Sequence, residues 1–274
     1  MHWMYDVPMG EQLDDDGDSL ESIEGCLTDA QYNRDEHRKA VIDDILDNWV
    51  SQSHNGKFHA ILATSSIPEA IKYYKLFAQR DCGLKTTAVF DPSDGNNESS
   101  IEKIDGIAQM LEDYNSLFGT CFNISGYASF KRDVCARLAH KTPYTAVENE
   151  PSKCLDILIV VDQMLTGYDS KWLNTLYMDK FYKWSNIEMI IQGISRTNRV
   201  FNDDKPHGII RYYRRPYTMK NIIEYAFEQY SGQKPYGIFV AKLIQNLENM
   251  NAAFSDINDI FKIAGIPDFF KTSR

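Results

Sequence analysis

At 274 residues, with 43% hydrophobic and 25% charged side chains, the chain is long enough to bury one large core or two modest ones. No apolar run reaches the roughly 18 residues that a bilayer span requires, and the opening MHWMYDVPMGEQLDDDGD lacks the basic and apolar regions of a secretory signal, so a membrane protein and a secreted one are both set aside and a cytoplasmic location is expected. The net charge of −10 does not exclude nucleic acid, because residues 1–50 carry 14 Asp and Glu against 3 Lys and Arg, and the other 224 residues sum to about +1.

Residues 1–34, with few aliphatics and the run DDDGD, read as an acidic lead-in that is mobile or waits for a partner. From Asp35, DEHRKAVIDDILDNWVSQS sets Val41, Ile42, Ile45, Leu46 and Trp49 at helical spacing. KFHAILAT (57–64) reads as a strand and SIPEAIKYYKLFAQ as the helix after it, with Pro68 tolerated in the first turn. KTTAVF (85–90) is a second strand, and DPSDGNNESS a loop. Helical stretches are expected at about 99–116 and 127–140. DILIVV (156–161) is a nearly continuous β-branched run, as in a strand covered on both faces. LNTLYMD (173–179) and GIIRYY (208–213) are further strands. Between them lies a short helix opened by Ser185 and Glu188 in an S-x-x-E capping box. From 217 the pattern is helical. Strands alternating with helices imply an open parallel α/β sheet covered on both faces. The expected organisation is a lead-in over 1–34, the sheet domain over 35–216 and a helical extension over 217–274.

Two stretches carry chemistry. In IIQGISRTNRV (190–200), an α-helical wheel places Ile187, Ile190, Ile191 and Ile194 on one side. Gln192, Arg196 and Arg199 then cluster on nearly the opposite side, turned to solvent or to an interface. An ordinary amphipathic helix with solvated arginines has the same pattern. The second stretch is VVDQMLTGYD (160–169), where a buried strand runs into Asp162, Thr166, Gly167 and Asp169. Ligands of parallel α/β sheets sit outside the carboxyl ends of the strands, which is where these residues fall. Gly167 would let a backbone approach a phosphate or adopt positive φ, and Asp169 could accept from a sugar hydroxyl. A plain glycine-centred turn remains the alternative.

Taken together, the two stretches resemble motifs V and VI of the second RecA-like domain of superfamily 2 helicases and translocases. DQMLTGYD keeps the family's Asp, Gly and final Asp, QGISRTNR its Gln with arginines at +4 and +7, and FHAILATSSIPEAIKYY the strand and helix of motif IV. ILIVVDQMLTGYDSKWLNTLYMDK followed by IIQGISRTNRVF and KPHGII looks like the motor region of the R subunit of type I restriction-modification enzymes. The resemblance runs from about residue 57 to 215.

This resemblance implies an ATP-dependent DNA translocase and endonuclease subunit. Arg199 would be the arginine finger and Arg196 a second γ-phosphate or interdomain contact. Gln192 would couple the two sides by a hydrogen bond. Gly167 and Asp169 would line the nucleotide side of the cleft, and Thr64, Ser65 and Thr166 would touch the DNA backbone. The implied cofactors are ATP and Mg²⁺. The implied partners are double-stranded DNA, the methylase and specificity subunits, a first RecA-like domain and a nuclease domain. Much of that machinery is missing from the sequence. The only Gly-Lys is Gly56-Lys57, with Phe58 after it and Ser51 where a phosphate-binding loop needs its first glycine. No acidic box ends an apolar strand to hold Mg²⁺, and no restriction nuclease core is present. The chain is therefore expected to be a fragment that does not hydrolyse ATP alone. A domain of another superfamily 2 motor, or a non-catalytic interaction module on the same fold, stays open at this point.

Weaker signals complete the reading. The five cysteines, at 26, 82, 121, 135 and 154, are scattered and read as reduced thiols. The six histidines show no ligand spacing, so no metal site is expected. Lys131, Arg132, Arg137 and Lys141 along one helix would track DNA or be solvated. Tyr212, Tyr213 and Tyr217 beside Arg211, Arg214 and Arg215 would grip DNA or pack internally.

Overall fold

The computed structural model describes residues 3–5, 24, 27–80, 82–90, 100–161, 168–183, 186–199, 201, 204–230, 250–255, 257 and 260–262. Six strands form one parallel sheet in the order β1-β6-β5-β2-β4-β3. They are β1 (Trp3–Tyr5), β2 (His59–Thr64), β3 (Thr86–Val89), β4 (Ile157–Val160), β5 (Leu173–Asp179) and β6 (Gly208–Tyr212). Every residue of β2, β4 and β5 is buried. Successive side chains of a strand point to opposite faces, so these three strands are covered on both sides, as their β-branched and apolar sequences require.

Helices supply the cover: α1 (Asp29–Tyr32), α2 (Asp35–Gln52), α3 (Ile67–Gln79), α4 (Ser100–Phe118), α5 (Tyr127–Leu138), α6 (Ile187–Ser195) and α7 (Pro216–Tyr230). In α2 the expected stripe is buried at Val41, Ile42, Ile45 and Trp49. Arg38 is buried with it and grips both oxygens of Glu69 on α3 at 2.8 Å each. Burial would raise the Glu69 carboxyl, but the Arg38 hydrogen bond holds it below its ordinary value. The N-cap of α3 is Ser66, whose hydroxyl accepts from the Glu69 N–H, and Pro68 sits in the first turn, where no intrahelical donor is lost.

Three features depart from sequence pattern. Trp3–Tyr5, within the acidic lead-in, pairs in parallel with β6 in the register Trp3 to Gly208. Arg137, one of the four basic residues expected along α5, is buried. Its guanidinium donates to the Tyr114 hydroxyl, the Lys153 carbonyl and the Tyr144 hydroxyl and stacks on Phe118. The arginines of β6 and of the segment after it also turn inward. Arg211 and Tyr213 both donate to Asp44 of α2, and Arg215 donates to the Leu27 carbonyl. Internal packing, rather than a DNA grip, occupies these groups.

The chain divides into two compact units, Met1–Ile238 and Phe239–Arg274. Helix α7 packs on α6 within the first of them. In the second, residues 250–255, 257 and 260–262 are helical. No helix among the described residues is long and apolar enough to cross a membrane.

Candidate functional site at the carboxyl edge of the sheet

At the carboxyl end of β2 the side chain of Thr64 is fully buried. Its hydroxyl lies within reach of the Val160 and Ser66 carbonyls, at 3.1 and 3.3 Å. Ser65, next along, is half-buried. Strand β4 ends at Val160, and residues 162–167 lie outside the described residues, so Thr166 and Gly167 are not placed.

The chain emerging from that segment is anchored on both sides of Asp169. Tyr168 is buried, with its hydroxyl 3.0 Å from His59 Nε2. Ser170 is buried too, and its hydroxyl donates to the Leu138 carbonyl while accepting from the Trp172 N–H. Two inward neighbours leave Asp169 projecting outward, 47% exposed.

Arg199 is presented in a similar way, though not as helical spacing predicts. Helix α6 begins at Ile187 after Asn186 and stops at Ser195; the expected capping residue, Ser185, lies outside the described residues. Ile190 and Ile194 form its buried side, Gln192 is exposed, and Arg196, half-buried, is the C-cap residue. Beyond it the chain dives inward. Thr197 is fully buried and its hydroxyl donates to the Ile194 carbonyl at 3.0 Å. Gly208, at the start of β6, lies against it so closely that a Cβ there would stand 2.3 Å from Thr197 Oγ1. Asn198 follows, also buried, and only then does Arg199 emerge, 59% exposed. Arg199 is therefore not a third member of a helical face; tertiary packing, not helical period, directs it. Its Nη2 lies 2.6 Å from Asp169 Oδ2. Two residues expected to share a ligand are in direct contact.

A buried hub beside this edge escaped the sequence reading. Asp179, at the carboxyl end of β5 and paired in register with Thr64, has no exposed surface. It accepts from His37 Nε2 at 2.7 Å, the Tyr73 hydroxyl at 2.9 Å, and Arg214 Nε and Nη2 at 2.9 and 3.0 Å. Burial alone would raise this carboxyl, but the hydrogen bonds from His37 and Arg214 hold it below its usual range. The only signal in the sequence is an aspartate closing a strand that also carries Leu173, Leu176, Tyr177 and Met178. At the opposite end of the sheet Lys205 is buried, donating to the Lys171 and Leu173 carbonyls. Burial pushes its ammonium down to about 7. Among the described residues, no group of three or more His, Cys, Asp or Glu is placed to hold a metal ion.

The family model described as type I restriction enzyme subunit R domain 3 matches residues 56–215, more than half of the chain. The chain belongs to this family of R-subunit domains. An endonuclease subunit of a type I restriction enzyme from Staphylococcus saprophyticus is 32% identical over 213 residues, covering 74% of this chain and 22% of that protein. One from Staphylococcus aureus is 30% identical over 200 residues, 70% of this chain and 20% of that protein. A putative one from Methanocaldococcus jannaschii is 30% identical over 125 residues, 45% of this chain and 11% of its own length. The R-subunit domain thus spans about a fifth of the length of the bacterial relatives that cover most of it. Its match starts within three residues of β2 and ends at Arg215, and so takes in the whole sheet except β1.

Proposed function

We propose that the carboxyl edge of this sheet is one half of an interdomain ATP site, in the DNA-translocating endonuclease subunit of a type I restriction enzyme. The observation that carries the reading is the Arg199–Asp169 contact, exposed at the edge where parallel sheets bind ligands. An exposed ion pair is held weakly, by about 0–1 kcal/mol, so Arg199 can exchange its carboxylate for a phosphate at little cost. A guanidinium can bind two oxygens at once, which suits the charge spread over a transferring γ-phosphoryl group.

The residues present fit one end of a nucleotide and not the other. Arg199 and Arg196 would face the γ-phosphate, Gln192 would link the two sides, and Asp169, once released, would accept from the ribose. Gly167 would lie beside it. A phosphate-cradling loop and the carboxylate that holds Mg²⁺ would come from a first RecA-like domain outside these residues. Bound ATP with Mg²⁺ supplies the phosphoanhydride whose hydrolysis drives movement along DNA. On the DNA side Ser65 keeps an accessible hydroxyl, whereas Thr64 would have to release the Val160 carbonyl before contacting a phosphate; Thr166 would complete this row. Such contacts grip the duplex backbone without reading sequence, a task left to a specificity subunit, with a methylase subunit and a nuclease domain completing the assembly.

The test is Arg199→Ala in the full-length subunit, assembled with its partners on double-stranded DNA. Loss of an arginine finger should lower ATP turnover by about 10³-fold. Unchanged ATP turnover and translocation would sink the reading. The chain by itself should show no ATP hydrolysis.

A further inference from the structure

Asn198 sits between Arg196 and Arg199 with only 8% of its surface exposed. Among the described residues, neither its Oδ1 nor its Nδ2 has a hydrogen-bond partner. A buried carboxamide has two donor hydrogens and an acceptor oxygen to satisfy, and the large majority of buried polar side-chain atoms in folded proteins find a partner. The neighbours show that local disorder of packing is not the cause. Thr197, one residue earlier, is fully buried with its hydroxyl on the Ile194 carbonyl. The Asn198 backbone N–H donates to the Ser195 carbonyl at 3.3 Å. The main-chain N–H has its partner; only the side-chain amide is left over. An apolar residue of the same volume would fit this environment better, since an unmade hydrogen bond costs more than an absent polar group.

The unmet amide lies directly before Arg199, whose guanidinium is on Asp169 in this arrangement. We propose that Asn198 is a positioning residue for Arg199. With Arg199 on Asp169, the amide is unpaired. When Arg199 moves from the carboxylate to an anion, the adjoining backbone shifts and the amide gains its hydrogen bond. The unpaired amide thus biases the segment toward the anion-bound arrangement, the anion being the triphosphate of the nucleotide. This inference rests on the function proposed above. It adds a residue outside the Gln-Arg-Arg pattern and assigns it to binding rather than to the chemical step.

The experiment uses the full-length subunit in its complex on DNA, with ATP as the probe and steady-state hydrolysis as the readout. Asn198→Leu keeps the branched heavy-atom shape and deletes the polar atoms. The KM for ATP should rise about tenfold or more, with kcat changed less than twofold and the melting temperature of the variant equal to or above that of the parent. An unchanged KM alongside a raised melting temperature would mean that the amide is only an uncompensated packing fault, and overturns the proposal. Should Asn198→Leu fail to fold, Asn198→Ala is read by the same criteria; failure of both would mean that the amide is already paired, which also overturns it. Arg199→Ala run in parallel separates the two levels. If it leaves turnover intact, the ATP-site reading fails; if it abolishes turnover while Asn198→Leu leaves KM alone, only the role of Asn198 fails.

Discussion

Asp179 and Arg214 meet in a two-point ion pair, Nε to Oδ1 at 2.9 Å and Nη2 to Oδ2 at 3.0 Å, with no part of the carboxylate exposed. The same carboxylate ties in His37 from α2 and Tyr73 from α3. One side chain therefore binds two helices and the segment after β6 to the carboxyl end of β5. Removing it would strand a buried guanidinium. Asp179→Ala should destabilise the chain by about 3–5 kcal/mol, read from the midpoint of urea unfolding.

The pH dependence of this hub has a definite sign. The folded carboxyl is held below its ordinary value, so the unfolded chain binds the proton more readily in acid. The stabilisation is complete above the unfolded value of about 3.9 and fades as pH falls from there toward the folded one. Unfolding midpoints of the parent and of Asp179→Asn, compared at pH 7 and pH 3, should converge at the lower pH. A constant difference would refute the assignment.

Lys205 gives the opposite window. Its ammonium is depressed to about 7 by burial, against an unfolded value of about 10.4. The unfolded chain therefore binds more protons between these values, and stability rises with pH across that range. Relative to Lys205→Met, the parent should gain stability between pH 7 and 10, with a slope approaching about 1.4 kcal/mol per pH unit. Chemical denaturation at half-unit intervals would measure it.

Gly208→Ala tests how Arg199 is presented. The added Cβ would stand 2.6 Å from both the Thr197 Cβ and the Thr197 carbonyl, so backbone as well as side chain would have to yield. Overpacking of this kind costs about 1–3 kcal/mol. In the full-length subunit, ATP turnover should fall with it, because Thr197 sets the turn from which Arg199 emerges. A stability loss with normal turnover would separate the two.

The Arg199–Asp169 pair itself should add little to stability. Both side chains are about half exposed, and a double-mutant cycle with Arg199→Ala and Asp169→Ala should give a coupling of about 0.2–1 kcal/mol that shrinks with added salt.

Where burial alone shapes an element, its sequence was readable. The run DILIVV holds β4, which is one residue shorter at each end, and LNTLYMD is β5 from end to end, because strands covered on both faces are rich in apolar residues. Helix α6 shows the limit. Its period predicts that Arg199 continues the face of Gln192, yet the helix ends at Ser195, and Thr197 and Asn198 turn into the core, Thr197 against Gly208 of a later strand. No local pattern encodes that contact. Asp179 was unreadable for a related reason: its partners come from residues 37, 73 and 214, joined only by the fold. The resemblance implied that Asp169 and Arg199 share a nucleotide; their direct contact with each other was carried neither by it nor by spacing.

The pairing of Trp3–Tyr5 with β6 gives the acidic lead-in a protective office. Without it, Gly208–Tyr212 would be an outer strand offering a row of unanswered N–H and C=O groups beside Ile209 and Ile210, a template on which a second molecule could add its own strand. The segment that covers β6 is only three residues long and is followed by the densest run of carboxylates in the chain, and like charge of that kind opposes association of copies. Trimming the chain to its matched region would remove both safeguards at once, so the lead-in bears on solubility even though no catalytic role is assigned to it.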